Sequence, residues 1–301
     1  MTATLRPGVL DALRAGGLDP ADVLRVVRGA LDEDLSFGPD VTTLSTVPAD
    51  SRATGDVVPR TAGVLAGVPV AAAVFDVVGG ADVEVTLLAA DGDRAEPGRA
   101  VVSVAGPTRA LLTAERTALN LIGRLSGIAT LTRRWVDEVE GTTATIRDTR
   151  KTTPGLRLLE KYAVRCGGGV NHRLGLGDAV LIKDNHVAAA GSVGAALRRA
   201  RAAAPDLPCE VEVDSLDQLD EVLALGAELV LLDNFTVAQT AEAVRRRGSA
   251  PTLLESSGGL ALANARAYAE TGVEFLAVGA LTHSVVALDV GLDLRPPDLR
   301  G

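Results

Sequence analysis

From residue 142 onward the apolar positions come in short blocks, each ending in a polar residue and followed by a stretch with helical spacing. The blocks are TTATIRD (142–148), AVLIKDN (179–185), CEVEVDS (209–215), AELVLLDN (227–234), PTLLESS (251–257) and VEFLAVGA (273–280). Between the later blocks lie SLDQLDEVLALG, TVAQTAEAVRRRG and LALANARAYAETG, each closing on glycine as a helix C-cap does. Apolar runs alternating with helices read as βα units with parallel strands buried on both faces. Such a series predicts a (β/α) barrel short of the full eight strands. A doubly wound sheet is the alternative.

The earlier part of the chain carries a different pattern. RPGVLDALRAGG and DPADVLRVVRGALDEDL predict two helices. The region from ATGDVVPRTAGVLAGVP to DVEVTLLAADGDRAEPGRAVVSVAGPTRALL predicts short strands with glycine and proline turns, as in an α+β sandwich. TAERTALNLIGRLSGIATLTRRWVDEV then has apolar residues at helical spacing and leads into the barrel, with Arg116 and Arg124 reading as exposed helix charges. The expected division is an α/β sandwich domain over 1–127, whose first helices pack on the barrel. A barrel domain follows over 128–301, with a tail that returns to the first domain.

Composition narrows the class. Hydrophobic residues make up 47% and aromatic residues 2%, so Val, Leu, Ala and Ile must build the core. The longest apolar stretch, Gly63 to Phe75, contains a proline and is too short to span a bilayer. No signal-peptide layout opens the sequence, and Cys166 and Cys209 show no metal-ligand spacing, so a cytoplasmic protein without membrane attachment is expected. A formal net charge of −9 argues against a nucleic-acid binder.

The distribution of charge is more informative than its sum. Only three of the 30 basic residues are lysine, and all three (Lys151, Lys161 and Lys183) lie between Arg147 and Lys183. Lys161 in LRLLEKYAVR reads as one charge of a solvated basic helix. Lys151 and Lys183 fall at strand ends, where barrels and doubly wound sheets both place their active sites. Those ends also carry Arg147 to Lys151, Glu212, Asp214, Asp233, Glu255 to Gly259, and Gly279. Asp214 and Asp233 could equally cap the helices that follow. Guanidinium forks (Arg150, Arg173) beside ammonium groups (Lys151, Lys183) and an imidazole (His172) suit a ligand with both carboxylates and phosphates. Glu212 and Asp233 on neighbouring strands suit Mg²⁺ or ribose hydroxyls. The glycines of ESSGG and AVGA, after the last two strands, suit a phosphate loop.

DTRKTTPGLRLLEKYAVRCGGGVNHRLGLGDAVLIKDNH closely resembles the signature of the quinolinate phosphoribosyltransferases. The resemblance extends through EDLSFGPDVTT, AERTALNLIGRLSGIAT, EVEVDSLDQL, LVLLDNF, ESSGGL and AVGALTHSVVALDVGLD, almost the whole chain. It implies a pentosyltransferase that joins quinolinate to 5-phosphoribosyl 1-pyrophosphate. The products would be nicotinate mononucleotide, CO₂ and pyrophosphate, in de novo NAD biosynthesis. It implies Mg²⁺ with the pyrophosphate and no organic cofactor. It also implies a homodimer with shared active sites, with a hexamer of dimers as a larger form.

By the same resemblance, Thr149, Arg150, His172 and Arg173 bind quinolinate, and Arg116 is the arginine reaching the site from the partner subunit, against its reading as a plain surface charge. Lys151, Lys183, Glu212 and Asp233 serve catalysis and bind phosphoribosyl pyrophosphate, and the two acids meet Mg²⁺ through water. Ser257, Gly258 and Gly259 with Val278, Gly279 and Ala280 match the phosphate loops. Three rival readings remain at this level: a barrel lyase using Lys183 as a Schiff-base nucleophile, a nicotinate phosphoribosyltransferase, and an inactive pyridine-carboxylate sensor.

Overall fold

A computed structural model describes residues 5–295; residues 1–4 and 296–301, the ends of the two expected domains, lie outside the described part. Two compact units emerge. One comprises Met1–Leu131, Thr152–Gly168 and Ser284–Gly301, and the other comprises Thr132–Lys151 and Gly169–His283.

The first unit begins with α1 (Pro7–Ala15), α2 (Pro20–Asp34) and the short α3 (Val41–Thr46). Prolines at the starts of α1 and α2 lose no hydrogen bond, because first-turn amides have no helical acceptor. Strands β1 (Arg52–Pro59), β2 (Gly63–Val64), β3 (Glu84–Leu87), β4 (Arg94–Ala95) and β5 (Val102–Pro107) follow, interrupted by α4 (Val68–Gly79). The apolar stretch Gly63 to Phe75 therefore divides: its first residues pair in β2, and the rest form α4. Val68 to Asp76 are all buried, as befits a helix that is apolar all round. The main sheet is antiparallel in the order β12–β1–β5–β3, where β12 is the last strand, Val290–Arg295.

Helix α5 (Thr108–Glu138) carries Arg116 and Arg124, and α6 spans Arg157–Cys166. Arg116 is exposed, as the periodicity predicts. Arg124 is not a free surface charge. It donates through Nε and Nη2 to Glu160 Oε1 at 3.1 and 2.9 Å, and Glu160 is fully buried. The second Glu160 oxygen accepts the Thr153 amide at 3.0 Å. Lys161 also departs from its expected solvated state, with 1% exposure. Helix α6 buries every residue from Leu159 to Val164, charged ones included, because Glu160 and Tyr162 both have partners inside this unit. These bonds also explain why residues 152–168 group with the first unit, where the sequence reading drew one boundary after residue 127.

In the second unit six parallel strands form one sheet: β6 (Thr145–Arg147), β7 (Val180–Ile182), β8 (Cys209–Val213), β9 (Leu229–Asp233), β10 (Leu253–Ser257) and β11 (Phe275–Ala277). Their order is β6–β11–β10–β9–β8–β7. A doubly wound sheet reverses direction at its middle. Here β7 to β11 advance one way and β6 lies beside β11, the cyclic order of a barrel with its seam between β6 and β7. Val170 forms a single parallel bridge to Arg147 beside that seam. Helices α7 (Asp184–Ala190), α8 (Val193–Ala203), α9 (Leu216–Ala224), α10 (Val237–Arg247) and α11 (Leu262–Ala269) connect the strands, and α12 (Ala280–His283) follows β11. A Thr236–Gln239 capping box starts α10, and Ser192 caps α8.

Removing one partner of a buried pair leaves the other charge uncompensated. Arg124→Ala is therefore expected to lower the unfolding free energy by on the order of 3 kcal/mol, read by urea denaturation. An unchanged transition would show that Glu160 does not depend on Arg124.

Candidate active site

The carboxyl ends of all six strands open into one cleft of about 680 Å³. Thr149, Arg150 and Lys151 enter it after β6, His172 and Arg173 after the Val170 bridge, and Lys183 after β7. Glu212 lies near the end of β8, Asp233 at the end of β9, and Ser257, Gly258 and Gly259 at the end of β10. Val278, Gly279, Ala280 and His283 complete the rim after β11. Every residue to which the resemblance gives a site role lines the cleft except Arg116, which stands exposed on α5 in the first unit, whereas the strand-end residues Arg147, Asp148, Asp214 and Ser256 do not line it.

Two halves of opposite charge face this space. On the basic half, Arg150 Nε and Arg173 Nε are buried with no hydrogen-bond partner, while Arg173 donates to the Ala179 carbonyl at 3.1 Å. Burial, and then the nearby Arg150 charge, hold Arg173 below the usual guanidinium range. Two like charges with unused donors have the chemistry to attract an anion. On the acidic half, Glu212 Oε2 accepts from Lys183 Nζ at 2.6 Å, and Asp233 Oδ2 accepts from the Asn234 side chain at 2.8 Å. Lys183 is half exposed, so this pair binds the two halves together only weakly.

Backbone geometry explains two of the glycines. Gly258 has φ +83°, and a Cβ there would come within 2.2 Å of Asn234 Oδ1. A Cβ on Gly279 would meet Lys151 Cδ at 2.9 Å and His283 Nε2 at 3.2 Å. Asn234 itself has φ +56°, the one non-glycine residue with positive φ among the described residues. Its amide donates to the Ser257 carbonyl at 2.9 Å, tying the ends of β9 and β10 together.

At the floor of the cleft, where His172 and Glu255 line it, lies a buried network of which only Glu210 was not named from the sequence. Arg147 Nη1 donates to Glu255 Oε2 at 2.7 Å, and His172 Nε2 lies 2.7 Å from Glu210 Oε2 and 3.8 Å from Glu255 Oε1. His172 Nδ1 accepts the Arg173 amide at 2.7 Å. That acceptor role puts the ring proton on Nε2, which donates to Glu210. His172, Glu210 and Glu255 are close enough to suggest a metal cluster, but a ring in this tautomer has no lone pair left on Nε2. Desolvation pushes both carboxyls up to about 7, with the Glu210 charge adding to the effect on Glu255. Glu210 Oε1 and Glu255 Oε1 are buried without partners.

Strand periodicity held a signal for these residues. Side chains two positions apart on a strand share a face, so Glu210 lies below Glu212 and Glu255 below Ser257. His283 was missed because it follows β11 by several residues and belongs to none of the strand-end blocks.

The family description "Quinolinate phosphoribosyl transferase, C-terminal domain" matches residues 128–293, and its N-terminal counterpart matches residues 40–126. The chain is 64% identical over 271 residues to the carboxylating nicotinate-nucleotide pyrophosphorylase of Mycobacterium leprae, covering 89% of this chain and 95% of that protein. It is 42% identical over 263 residues to a probable carboxylating nicotinate-nucleotide pyrophosphorylase of Bacillus subtilis, covering 87% and 90%. The crystal structure of NadC from Streptococcus pyogenes is similar with a TM-score of 0.88 and 38% identity, covering 93% of this chain and 99% of that one.

A carboxyl with a raised pKa holds, in the folded chain, a proton that the unfolded chain has already lost. Glu255 therefore contributes stability below its unfolded value of 4.5 and loses it as pH rises through about 7. Glu255→Gln cannot ionise, so its unfolding free energy should fall less than wild type between about pH 5 and pH 8, by up to roughly 3 kcal/mol. Parallel curves in denaturant titrations at the two pH values would remove this assignment.

Proposed function

The chain belongs to the quinolinate phosphoribosyl transferase family, and from that premise we infer that it transfers the phosphoribosyl group of 5-phosphoribosyl 1-pyrophosphate to quinolinate with decarboxylation. The products are nicotinate mononucleotide, CO₂ and pyrophosphate, which places the enzyme in de novo NAD biosynthesis. The observation that carries the reading at this site is the pair of buried, unpartnered guanidinium nitrogens of Arg150 and Arg173, opposite the Glu212–Asp233 side of one cleft. Two guanidinium groups suit two carboxylates on one ring. A single carboxylate, as in nicotinate, would leave one of them without an anion.

In this reading Thr149, Arg150, His172 and Arg173 seat quinolinate with its ring nitrogen toward the ribose carbon. Lys151 and Lys183 neutralise the pyrophosphate as it leaves, and Glu212 and Asp233 orient the ribose hydroxyls. Backbone amides around Ser257 to Gly259 and Val278 to Ala280 hold the 5′-phosphate, where glycine lets the main chain approach closely. Breaking the C1–pyrophosphate bond leaves positive charge on the ribose and negative charge on the leaving group. Fixed cations that meet that negative charge as it forms lower the barrier without a protein nucleophile. Once the ring nitrogen has bonded to C1, the pyridinium accepts the electron pair released as the adjacent carboxylate departs as CO₂. A proton then completes that carbon.

Glu212 and Asp233 offer only carboxylate oxygen, the hard donor set that suits Mg²⁺ held through water. Bound there with pyrophosphate, Mg²⁺ supplies further neutralisation of the leaving group. Lys183, ion-paired with Glu212, serves as a cation, which counts against a Schiff-base role. The cytoplasm suits free Cys166 and Cys209, and no helix among the described residues is long and apolar enough to cross a membrane.

The assembly we propose is a homodimer in which Arg116 of one copy completes the cleft of the other, and a hexamer of dimers is its larger form. An exposed apolar segment beside Arg116 supports this. Leu35, Phe37, Val41 and Leu44 are 43%, 101%, 68% and 47% exposed. Thr113 and Thr117, on the same helix as Arg116, bond Asp40 and Asp34, which flank Leu35 and Phe37.

Purified protein with Mg²⁺, quinolinate and 5-phosphoribosyl 1-pyrophosphate is expected to form nicotinate mononucleotide, followed by chromatography. Absence of product with both substrates would end the reading. Arg150→Ala and Arg173→Ala should each cost about a hundredfold in kcat/KM for quinolinate, about 2.7 kcal/mol, whereas Lys151→Ala should act mainly through phosphoribosyl pyrophosphate. Normal quinolinate kinetics in either arginine variant would contradict their placement. Mixing inactive Arg116→Ala with inactive Lys183→Ala subunits should restore part of the activity; no recovery after verified exchange would exclude a shared site.

A further inference from the structure

Asp148 directly follows β6 within the RDTRK motif and is fully buried. None of the roles above involves it. Its Oδ1 accepts the His172 amide at 2.8 Å, and its Oδ2 accepts the Asn171 side-chain amide at 2.6 Å. Its own amide donates to the Val170 carbonyl at 3.1 Å, while the Val170 amide donates to Ile146 at 2.9 Å. One carboxylate therefore fastens the segment carrying His172 and Arg173 to the strand end carrying Arg150.

That segment needs fastening. GGGVNHRLGLGD is glycine-rich, and residues 171–178 form no helix or strand. At its far end Asp178 accepts the Gly175 amide at 2.8 Å and the Leu174 amide at 2.5 Å. At its near end the fastening runs from Asp148 to the His172 amide, from His172 Nδ1 to the Arg173 amide, and from His172 Nε2 to Glu210 on β8. Arg150 and Arg173 repel each other, so loop mobility would let the two guanidinium groups separate when no anion lies between them. Charge-assisted bonds from backbone amides to a buried carboxylate oppose that separation.

We propose that Asp148 is a positioning residue for the dicarboxylate, holding the loop that carries Arg173 against the strand end that carries Arg150. The proposal rests on quinolinate being the ligand of this cleft. It predicts an effect on quinolinate larger than on the phosphoribosyl pyrophosphate side, because Lys183, Glu212 and Asp233 belong to other strand ends and Lys151, three residues after Asp148, has its carbonyl held separately by the Thr282 hydroxyl at 2.8 Å.

The test compares wild type, Asp148→Ala, Asp148→Asn and the exchange variant Asp148→Asn with Asn171→Asp. Steady-state kinetics vary each substrate separately, and calorimetric titration of quinolinate reads binding without turnover. Asp148→Ala is expected to raise the quinolinate KM and Kd at least about tenfold, the ratio that ~1.4 kcal/mol of lost positioning produces, with the phosphoribosyl pyrophosphate KM within about twofold. The exchange variant should recover most of the loss: the amide oxygen at position 148 still accepts from His172, and its NH₂ meets the new carboxylate at 171. If Asp148→Ala fails to fold by circular dichroism, Asp148→Asn carries the same comparison with the side-chain shape kept. Equal effects on both substrates, or no recovery in the exchange variant, would overturn the proposal and leave Asp148 a purely structural residue. Wild-type protein that binds no quinolinate would overturn the substrate reading and this proposal together. Wild-type binding matched by all variants would overturn this proposal alone.

Discussion

A pocket for a polyanion has to keep several cations close together and available before the anion arrives, and that repulsion governs the design of the second unit. Arg150 and Arg173 stand near each other with buried, unused donors, and desolvation makes the Arg173 charge costly. Side-chain pairing would relieve the repulsion but would also consume the donors. Below the cleft, carboxylates supply the compensation without blocking it. Glu255 holds Arg147, Glu210 accepts from His172, and Asp148 accepts from the backbone of the loop. These acceptors thus lie one layer beneath Arg150 and Arg173, whose Nε atoms keep no hydrogen-bond partner.

Parallel βα topology makes this layering possible. Each strand contributes side chains to the interior at alternate positions, so a residue at the strand end and the one two positions before it stand above one another. Glu212 above Glu210 and Ser257 above Glu255 show the same strand serving chemistry at the rim and charge balance below. The rim itself is divided by strand. In the proposed reading the β6 end and the loop after Val170 take the carboxylates and β8 and β9 the ribose, while β10 and β11 bring glycines to the rim. Catalysis by fixed charge suits such a scaffold, because the groups need only stay in place while bonds rearrange elsewhere.

The first unit meets buried charge in a more ordinary way. Arg124 and Glu160 compensate each other, and Asp91 accepts the Tyr162 hydroxyl at 2.6 Å together with the amides of Gly67 and Val68 at the start of α4. Every oxygen named there has a donor. Arg150 and Arg173 differ in this respect, because their Nε atoms are buried without a hydrogen-bond partner.

By itself the sequence determined the strand series, the helices between the strands and the identity of nearly every rim residue. These features are local, since period-two and helical patterns, caps and strand-end charges are written in consecutive residues. The family motif made the chemistry legible for the same reason, because RDTRK, NHR and KDNH are contiguous. Tertiary structure decided what depends on residues distant in the chain. The order that puts β6 beside β11 chose a barrel over a doubly wound sheet, since both topologies share one local pattern. Arg124 and Lys161 looked like surface charges because amphipathic spacing cannot reveal a carboxylate 36 residues away, as Glu160 is from Arg124. The tautomer of His172 and the anchoring role of Asp148 arise only where β6, β8 and the loop after Val170 converge, because a hydrogen bond needs a partner in space and sequence spacing does not supply one.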